Sequence, residues 1–550
     1  MKKIMMALFL SLVSLSVLFA GGRSESNQNK SEQDSQIIKV MQTAVLDSLD
    51  PQQATFNTAF EIIADFTDGL MQVNADGTVS PAIAESEEVS ADGLTRTYTI
   101  RPDAKWSNGE PVTADDFVFG LRRAVDPTVA YEFYYMVSDI AHIKNADAIV
   151  NGTLPVSDLG IVALDDHTVQ FQLAIPVPFF DSLLAFPSFY PLNEKFFESV
   201  GTSYGTSPET LLSNGAFMMT DYSPAAVRFS LRKNPMYYDA DRIHLDGIDY
   251  QVLLDSQQAL MSYQNGDLDI ITLAGDQIDQ VQDDPNFKSY GAGYLWYLQP
   301  NNVGVEALNN LNLRRAITFS IDRDSLVTNV TKDGSLPSYS IVPTSLAYDT
   351  NGNDFSSETN AYPSDIGFNP QLAKEYYQKA LEELGVTSIS FDLLVDDASI
   401  QQNIGAVIQQ SLQSTLPGLK VNLVVEPKKQ RGQDTGDGNF DLVLKAWGPD
   451  YADPTTYLGM FVTGNPHDSG KWSNSEYDSL IQRSMFGDLV SQPEERWEAL
   501  KKAETIAMDD VVIMPLYQQS NATMMNPNLQ GVAFHSVGIP RIYKDAMFTQ

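Results

Sequence analysis

The chain has 550 residues, 43% of them hydrophobic and 19% charged, and its 71 acidic against 35 basic residues give a net charge of −36. Such a length exceeds the roughly 250–300 residues at which one hydrophobic core stops growing, which predicts two or more lobes. So acidic a body excludes nucleic acid and anionic membrane surfaces as partners. The absence of cysteine excludes disulfides, thiolate metal sites and cysteine nucleophiles.

The N-terminal 22 residues have the pattern of an export signal. Lys2 and Lys3 precede an almost wholly apolar stretch, and small residues follow at 20–22. Residues 23–37 are mostly polar and predict a flexible tether. Gly22 stands where a lipoprotein carries its acylated cysteine. We therefore expect a protein exported to the periplasm or cell envelope without a lipid anchor.

Strand and hairpin patterns come next along the chain. Residues 38–46 predict a strand, and residues 69–101 predict β-hairpins with a turn at 74–77. Thr113 and Asp116 have the spacing of a capping box, which predicts that a helix begins after Thr113.

The second half of the chain has an α/β pattern. Asn369-Pro370 predicts the start of a helix that Gly385 closes. Residues 389–395 and 421–427 predict strands. Between them lies an apolar stripe at helical spacing, formed by Ile400, Ile404, Val407, Ile408 and Leu412. A strand, a helix and a strand in this order predict a βαβ unit with parallel strands.

The stretch WGPDYADP, residues 447–454, follows a predicted buried strand at 440–447. Ligands bind outside the carboxyl ends of strands in open α/β sheets, which makes Asp450 a candidate site residue. A solvated loop aspartate is an equally good interpretation on these grounds. The runs YEFYYM (131–136) and GYLWYLQP (293–300) have aromatic residues at strand spacing, and they either line a cleft or fill a core.

Motifs for catalysis and metal binding are absent or defective in the sequence. Residues 464–471 lack the glycine spacing and the Ser/Thr of a P-loop, and residues 349–354 lack the glycine of a calcium loop. The five histidines lie far apart, so we expect no metal and no cofactor. The many carboxylates leave a glycosidase possible in principle, although no motif points to one.

Five stretches together resemble a known family. They are residues 49–86, 95–127, 213–239, 313–327 and 440–465. In this order they resemble the bacterial extracellular solute-binding proteins of family 5, the class of oligopeptide-binding components of ABC importers. The resemblance covers essentially all of the chain after the tether. It implies an α/β fold of two lobes that close over a ligand like a flytrap.

The resemblance also implies a domain organisation. We expect the first lobe to cover residues 38–300 and to include an extra β-rich subdomain at about 70–190. The second lobe would cover residues 301–521, and residues 522–550 would return to the first lobe.

By the same resemblance, Asp450 matches the family's acid that pairs with the free α-amine of a bound peptide. Ala446, Trp447 and Gly448 would pair with the peptide main chain as an added strand. Tyr451 would help to enclose the carboxylate, while Asp453 is a turn residue that fixes the loop.

The resemblance implies further site residues, whose positions match the family less closely. Tyr131, Tyr134 and Trp296 match aromatic stretches near the family's cleft. Thr55 stands where enteric relatives carry a second acid, so one amine contact is missing. Lys445 and Arg431 are the nearest cations for the peptide carboxylate, although neither is in the family's register.

The resemblance implies an exported receptor that captures oligopeptides and feeds the permease subunits of an ABC importer. We expect it to act as a monomer without catalytic activity. Two alternatives remain at this point: the same fold binding an oligosaccharide or another small solute, and an exported hydrolase.

Overall fold

The computed structural model describes residues 36–349, 351–359 and 367–549. The predicted export signal and all but the last two residues of the predicted tether lie outside these described residues. In the described ranges, no helix is long and apolar enough to cross a membrane.

Strands and helices alternate along much of the chain. The strands are β1 (Ile37–Gln42), β2 (Met71–Val73), β3 (Val79–Pro81), β4 (Ala84–Val89), β5 (Thr95–Ile100), β6 (Ile161–Asp165), β7 (Thr168–Gln172), β8 (Phe217–Asp221), β9 (Arg228–Lys233), β10 (Gly247–Val252), β11 (Ile270–Leu273), β12 (Phe287–Pro300), β13 (Leu336–Pro337), β14 (Ile389–Asp396), β15 (Leu419–Glu426), β16 (Leu442–Trp447), β17 (Met514–Met525), β18 (Leu529–Gln530), β19 (Ala533–Phe534), β20 (Arg541–Ile542) and β21 (Met547–Phe548). The α-helices are α1 (Asn57–Phe66), α2 (Ala114–Val125), α3 (Ala146–Val150), α4 (Phe180–Leu183), α5 (Glu194–Val200), α6 (Ser256–Gln264), α7 (Glu306–Asn309), α8 (Leu311–Phe319), α9 (Arg323–Leu326), α10 (Phe355–Glu358), α11 (Pro370–Leu384), α12 (Ser399–Thr415), α13 (Lys428–Asp437), α14 (Thr455–Leu458), α15 (Ser475–Phe486) and α16 (Pro493–Asp509).

One large mixed sheet runs through the molecule in the order β15-β14-β16-β12-β17-β11-β1-β10-β9-β8, with β13 on β17. The segment β14–α12–β15 is the predicted βαβ unit, and its strands pair in parallel from Ile389–Leu419 to Asp396–Glu426. This prediction is confirmed, as is the buried strand before WGPDYADP, which is β16.

The long central strands β12 and β17 join the two parts of this sheet. Their antiparallel pairing is interrupted between Gly291 and Leu295. Gly293, inside the interruption, has a φ of 78°, and a Cβ there would lie 1.9 Å from the carbonyl oxygen of Ser536. Only glycine fits at position 293, because any side chain there would collide with the backbone of Ser536.

We call the part of the molecule built on β1 and β8–β11 the first lobe and the part built on β14–β16 the second lobe. Separate hydrophobic cores support this division. One core packs α1 against β1 and β10, with Phe60 and Tyr250 fully buried. Another packs α8, α11 and α12 around Tyr377 and Leu393. The fold is therefore α/β with two lobes.

A second sheet, β4-β5-β7-β6, is antiparallel and packs with α2 around a core of its own. Trp106 and Phe117 are fully buried there. The Trp106 indole N–H donates to Asp116, which also forms the capping box with Thr113 at the start of α2. This region lies within the predicted β-rich subdomain; the exact domain boundaries stay predictions.

Two local expectations have clear outcomes. Asn369 caps α11 through its side chain, and Gly385 ends that helix in the left-handed conformation, as predicted. By contrast, β1 ends at Gln42 instead of residue 46. After β1 the chain enters a loop in which Asp47 accepts hydrogen bonds from the backbone N–H groups of Thr55 and Phe56.

Candidate ligand-binding cleft

A cavity of about 580 Å³ lies between the two lobes. The first lobe, the crossing strands, the end of β16 and the C-terminal segment all contribute to its wall. Its lining includes Gln42, Asn57, Thr58, Glu61, Phe133, Tyr135, Phe186, Tyr290, Gly291, Ala292, Tyr294, Ala446, Trp447, Gly448, Pro449, Asp450, Gln519, Asn521, Phe534, His535, Ser536 and Arg541. The wall thus combines aromatic rings with many polar and charged side chains.

Asp450 is the half-buried carboxylate at this cavity. Burial raises its pKa to about 6, because a charged group loses hydration there. Among the described residues, no cation and no hydrogen-bond donor contacts its carboxylate. Its backbone N–H donates to the Thr456 hydroxyl at 3.0 Å, which fixes the position of the residue. The side chain is therefore placed to receive a donor from a ligand.

Asp453 fixes the loop that carries Asp450. Its carboxylate forms two hydrogen bonds of 2.8 Å with Arg496 of α16, and both side chains are almost fully buried. It also accepts from the backbone N–H and the hydroxyl of Thr455. The prediction that Asp453 is a structural turn residue is confirmed.

Tyr451 connects this loop to the region of the four-stranded sheet. Its ring stacks on Phe179, with 4.1 Å between centroids and 8° between planes. The residue is only 5% exposed and belongs to the core of the four-stranded sheet. Tyr451 therefore packs across the lobes beside Asp450, and it lines a second, neighbouring cavity instead of the main one.

The end of β16 offers backbone to the cleft. Ala446 and Trp447 pair with β12 on one side. On the other side, within the described part of the chain, β16 pairs with β14 only at Leu442 and Val443. The edge beyond Val443 therefore has no partner strand in the described residues where Ala446, Trp447 and Gly448 line the cavity, although the Trp447 carbonyl oxygen accepts a hydrogen bond of 3.4 Å from the Tyr457 hydroxyl.

The aromatic runs enter the cleft in a different register from the one the resemblance implied. Tyr131 is buried, with its hydroxyl 2.8 Å from that of Ser188, and Tyr134 is exposed. Neither lines the cavity, whereas Phe133 and Tyr135 do. The expected strand spacing is wrong for this run, because the chain forms a 3-10 turn at 132–134 and a π turn at 136–140.

Trp296 also lies outside the lining. Its indole N–H donates to Gln519 at 2.9 Å, and its ring stacks on Tyr517. Tyr294 faces the cavity instead, with its ring against Gly448. The interruption of β12 before Leu295 changes which side chains face the cleft.

The remaining predicted residues lie away from the cavity lining. Thr55 donates from its backbone and hydroxyl to Asp47. Lys445 Nζ lies 3.4 Å from the carbonyl oxygen of His467, and burial together with nearby Arg431 lowers its pKa to about 8. Arg431 Nε lies 3.9 Å from Asp396. Lys445 and Arg431 are thus close enough for their charges to interact.

Sequence reasoning missed the contribution of the C-terminal segment. Phe534 stacks on Tyr290 of β12 with 3.4 Å between centroids. Arg541 forms an ion pair of 2.9 Å with Glu61 of α1, and both line the cavity. No local pattern marks these residues, because their neighbours at the site are distant in the chain. Nowhere in the described residues do three or more His, Asp or Glu side chains form a group that could hold a metal ion.

Comparisons with known proteins give a consistent result. Residues 78–469 match the family model for bacterial extracellular solute-binding proteins, family 5 Middle. The dipeptide-binding protein of Lactococcus lactis subsp. cremoris is 33% identical over 512 residues, which cover 91% of this chain and 92% of that protein.

Solved structures with the same fold are also similar over most of their length. The structure of Listeria monocytogenes OppA bound to peptide is 32% identical, with a TM-score of 0.71, and covers 94% of this chain and 100% of its own. The murein tripeptide-binding protein MppA in its unliganded open form shares the fold, with a TM-score of 0.82 at 24% identity, over 94% of this chain and 98% of its own.

Proposed function

The chain belongs to the bacterial extracellular solute-binding proteins of family 5, and on that basis we propose that it captures oligopeptides and delivers them to an ABC importer. Of the similar proteins named above, that of Lactococcus lactis is a dipeptide-binding protein and that of Listeria monocytogenes holds a peptide in its structure. One observation on this chain carries the proposal: a half-buried carboxylate, Asp450, faces the interlobe cavity without a partner among the described residues.

Asp450 accepts the free α-amine of the peptide. An ammonium group supplies the positive charge and the donors that this carboxylate lacks. Hydrogen bonds between ionised groups are roughly twice as strong as neutral ones, and they gain further strength where water is excluded. The Asp453–Arg496 ion pair and the Tyr451–Phe179 stack hold the loop in place, so the acceptor needs little reorganisation on binding.

The backbone of Ala446, Trp447 and Gly448 pairs with the peptide main chain. The free edge of β16 at the cavity supports this mode, because an extended peptide adds to an exposed strand edge. Main-chain pairing is common to all peptides, so it gives affinity without strong sequence preference.

Lys445 and Arg431 attract the carboxylate end of the peptide. Their mutual repulsion contributes to the lowered pKa of Lys445, and an anion near both would relieve it. Neither side chain lines the cavity in this structure, so this contact depends on closure of the lobes. Tyr131, Tyr134, Trp296 and Thr55 support the site from outside its lining.

We place the protein outside the cytoplasm, as the export pattern at residues 1–22 indicates. Its membrane partners are the permease subunits of an ABC importer, and it works as a monomer. It has no catalytic activity of its own.

Native mass spectrometry of gently purified protein, followed by calorimetry, tests the proposal. Peptide masses should accompany the protein, and free-amine peptides should bind at least tenfold more tightly than their N-acetylated forms. Asp450→Asn should weaken the binding of free-amine peptides at least tenfold, about 1.4 kcal/mol. Asp139→Asn removes an exposed carboxylate from outside the cavity lining and is the matched control.

Equal affinity of wild type and Asp450→Asn for free-amine peptides would contradict the amine assignment. A discrete bound sugar, with no peptide binding, would contradict the peptide proposal as a whole.

A further inference from the structure

Two aromatic contacts join the second lobe to the four-stranded region, by which we mean the sheet β4-β5-β7-β6 and the segments that pack on its core. In the first contact, Tyr451 of the Asp450 loop stacks on Phe179. In the second, the ring of His142 lies edge-on to that of Phe486, with 5.7 Å between centroids and 87° between planes. Stacked and edge-to-face rings attract each other, so both contacts favour the association of the two parts.

The two contacts are connected within the four-stranded region. The His142 carbonyl oxygen accepts a hydrogen bond of 2.7 Å from the backbone N–H of Ala174, in the segment that leads from β7 to Phe179. His142 also has a φ of 47°, in the left-handed region that residues other than glycine seldom adopt. Such a conformation persists only where the surrounding structure fixes it. The position of the His142 ring is therefore set by a constrained backbone.

Arg496 connects the two contacts on the second lobe. Its guanidinium forms the ion pair with Asp453, two residues after Tyr451, and its Nε donates to the carbonyl oxygen of Ser484 at 2.8 Å. Ser484 lies two residues before Phe486, the last residue of α15. The helices α15 and α16 share a core with the end of β16, which places both in the second lobe. Because Arg496 is almost fully buried, the loop and the end of α15 form one unit.

Both second-lobe rings extend away from their own lobe. Phe486 is 47% exposed, so it contributes little to the core beneath α15. Tyr451 is buried, but the core that covers it is that of the four-stranded region. Moving the two parts away from each other would expose both rings further, which is unfavourable in proportion to the apolar area uncovered.

The first contact lies next to the proposed ligand acceptor. Asp450 immediately precedes Tyr451, so the acceptor and this contact belong to the same loop. A ligand held between two lobes leaves when the lobes move apart, and contacts made across the cleft oppose that movement. The two aromatic contacts are therefore placed to control how long a ligand stays bound.

We propose that the Tyr451–Phe179 and His142–Phe486 contacts form a latch between the four-stranded region and the second lobe, which holds the lobes together and slows the release of a bound peptide. The effect on release rests on the proposed function, because it needs a peptide in the cleft. The effect on the lobes does not. The latch gives the four-stranded region a role that is separate from direct contact with the ligand.

Stopped-flow measurement of tryptophan fluorescence, with tri-alanine and tetra-alanine as ligands, tests the release step, since Trp447 lines the cleft. Phe179→Ala and Phe486→Ala should each raise the dissociation rate constant about three- to tenfold, the contribution of one aromatic pair. The association rate constant should change less than about twofold, because most effects of such variants are on dissociation. In the double variant the two increases should multiply.

A double-mutant cycle separates the latch from a general loss of stability. His142→Asn should act like Phe486→Ala, because asparagine tolerates the left-handed backbone but removes the ring. Combining these two substitutions should add little to either one, because both remove the same contact. Phe486→Tyr keeps the ring and should release peptide at the wild-type rate.

Phe119→Ala is the matched control. Phe119 of α2 and Phe197 of α5 form a half-buried pair, with 5.7 Å between centroids, which lies wholly on the side of the first lobe. The substitution removes a ring of the same size as that of Phe179. It should leave the release rate unchanged even if it lowers the melting temperature.

Small-angle X-ray scattering of the peptide-free protein gives a readout that needs no ligand. The double variant Phe179→Ala/Phe486→Ala should have a larger radius of gyration than wild type and Phe119→Ala; an equal radius would refute the latch. Because the Phe486 ring is 47% exposed, Phe486→Ala should fold even if Phe179→Ala does not.

The outcomes separate the two proposals. If peptides bind but Phe486→Ala releases them at the wild-type rate, or if Phe119→Ala accelerates release equally, only the latch is refuted. If no peptide binds wild type, the proposed function fails and the role in release fails with it, while the scattering result decides by itself whether the contacts hold the lobes together.

Discussion

Lowering the pH from 7 to 5 should weaken the binding of free-amine peptides to this protein about tenfold. Burial raises the pKa of Asp450 to about 6 in the empty cleft, and an ammonium group bound beside it favours the ionised form. With that pKa, about 90% of the carboxylate is ionised at pH 7 and about 10% at pH 5. The affinity is therefore nearly complete at pH 7 and falls as the pH drops through 6.

The size of this change in affinity depends on which other groups gain or lose a proton between pH 5 and 7. Three tyrosines lie close enough to Asp450 to interact with it electrostatically: Tyr135, Tyr451 and Tyr457. Burial raises the pKa of each hydroxyl, so all three remain neutral between pH 5 and 7. The peptide amine, with an ordinary pKa of about 8, stays largely protonated below pH 7.

Calorimetry at pH 5, 6 and 7, in two buffers with different ionisation enthalpies, measures both the affinity and the number of protons released on binding. Wild type should release about 0.9 proton per peptide bound at pH 5 and almost none at pH 7, where the roughly 0.1 proton lost by Asp450 is offset by uptake at the peptide amine. Asp450→Asn should show neither this release nor the tenfold change. A wild-type affinity that is constant over the range, or an equal pH dependence in the variant, would refute the reasoning.

Three further predictions concern stability. Arg496→Ala should destabilise the protein by about 3–5 kcal/mol in chemical denaturation, because it leaves the buried carboxylate of Asp453 unpaired; a loss below about 1 kcal/mol would contradict this role. Glu504 is buried and its pKa is raised to about 7, so the folded state binds more protons than the unfolded state between about pH 4.5 and 7 and stability falls as the pH rises. Thermal melts should show that Glu504→Gln removes part of the stability loss between pH 5 and 8; parallel pH profiles for wild type and variant would count against it. Gly293→Ala should cost at least about 1 kcal/mol, because φ is positive and the new Cβ would collide with Ser536; an unchanged melting temperature would show that the crossing strands tolerate a side chain.

Local sequence patterns were sufficient to predict those helices and strands that are determined by interactions between residues close together in the chain. The capping box of Thr113 and Asp116 and the Asn369 and Gly385 caps depend on side chains within a few residues of the backbone they satisfy. The βαβ unit follows from periodicity, because apolar residues at spacings of two and of three to four must face a common core. The position of Asp450 at the end of a buried strand was predictable for the same reason.

The registers of the aromatic residues were not predictable from spacing. At residues 131–136 the helical turns bring Phe133 and Tyr135 to the cleft, and an interruption in β12 brings Tyr294 there. Spacing assigns faces correctly only while one type of secondary structure continues without a break.

The sequence by itself therefore determined the two-lobed α/β fold, the family and the strand that ends at Asp450. Only the tertiary structure decided that Asp450 has no partner among the described residues, that Tyr451 stacks on Phe179 beside the four-stranded sheet, and that Phe534 and Arg541 line the cleft. These facts depend on contacts between segments hundreds of residues apart. Burial, and with it the raised pKa of Asp450, is a property of that packing and has no signature in the local sequence.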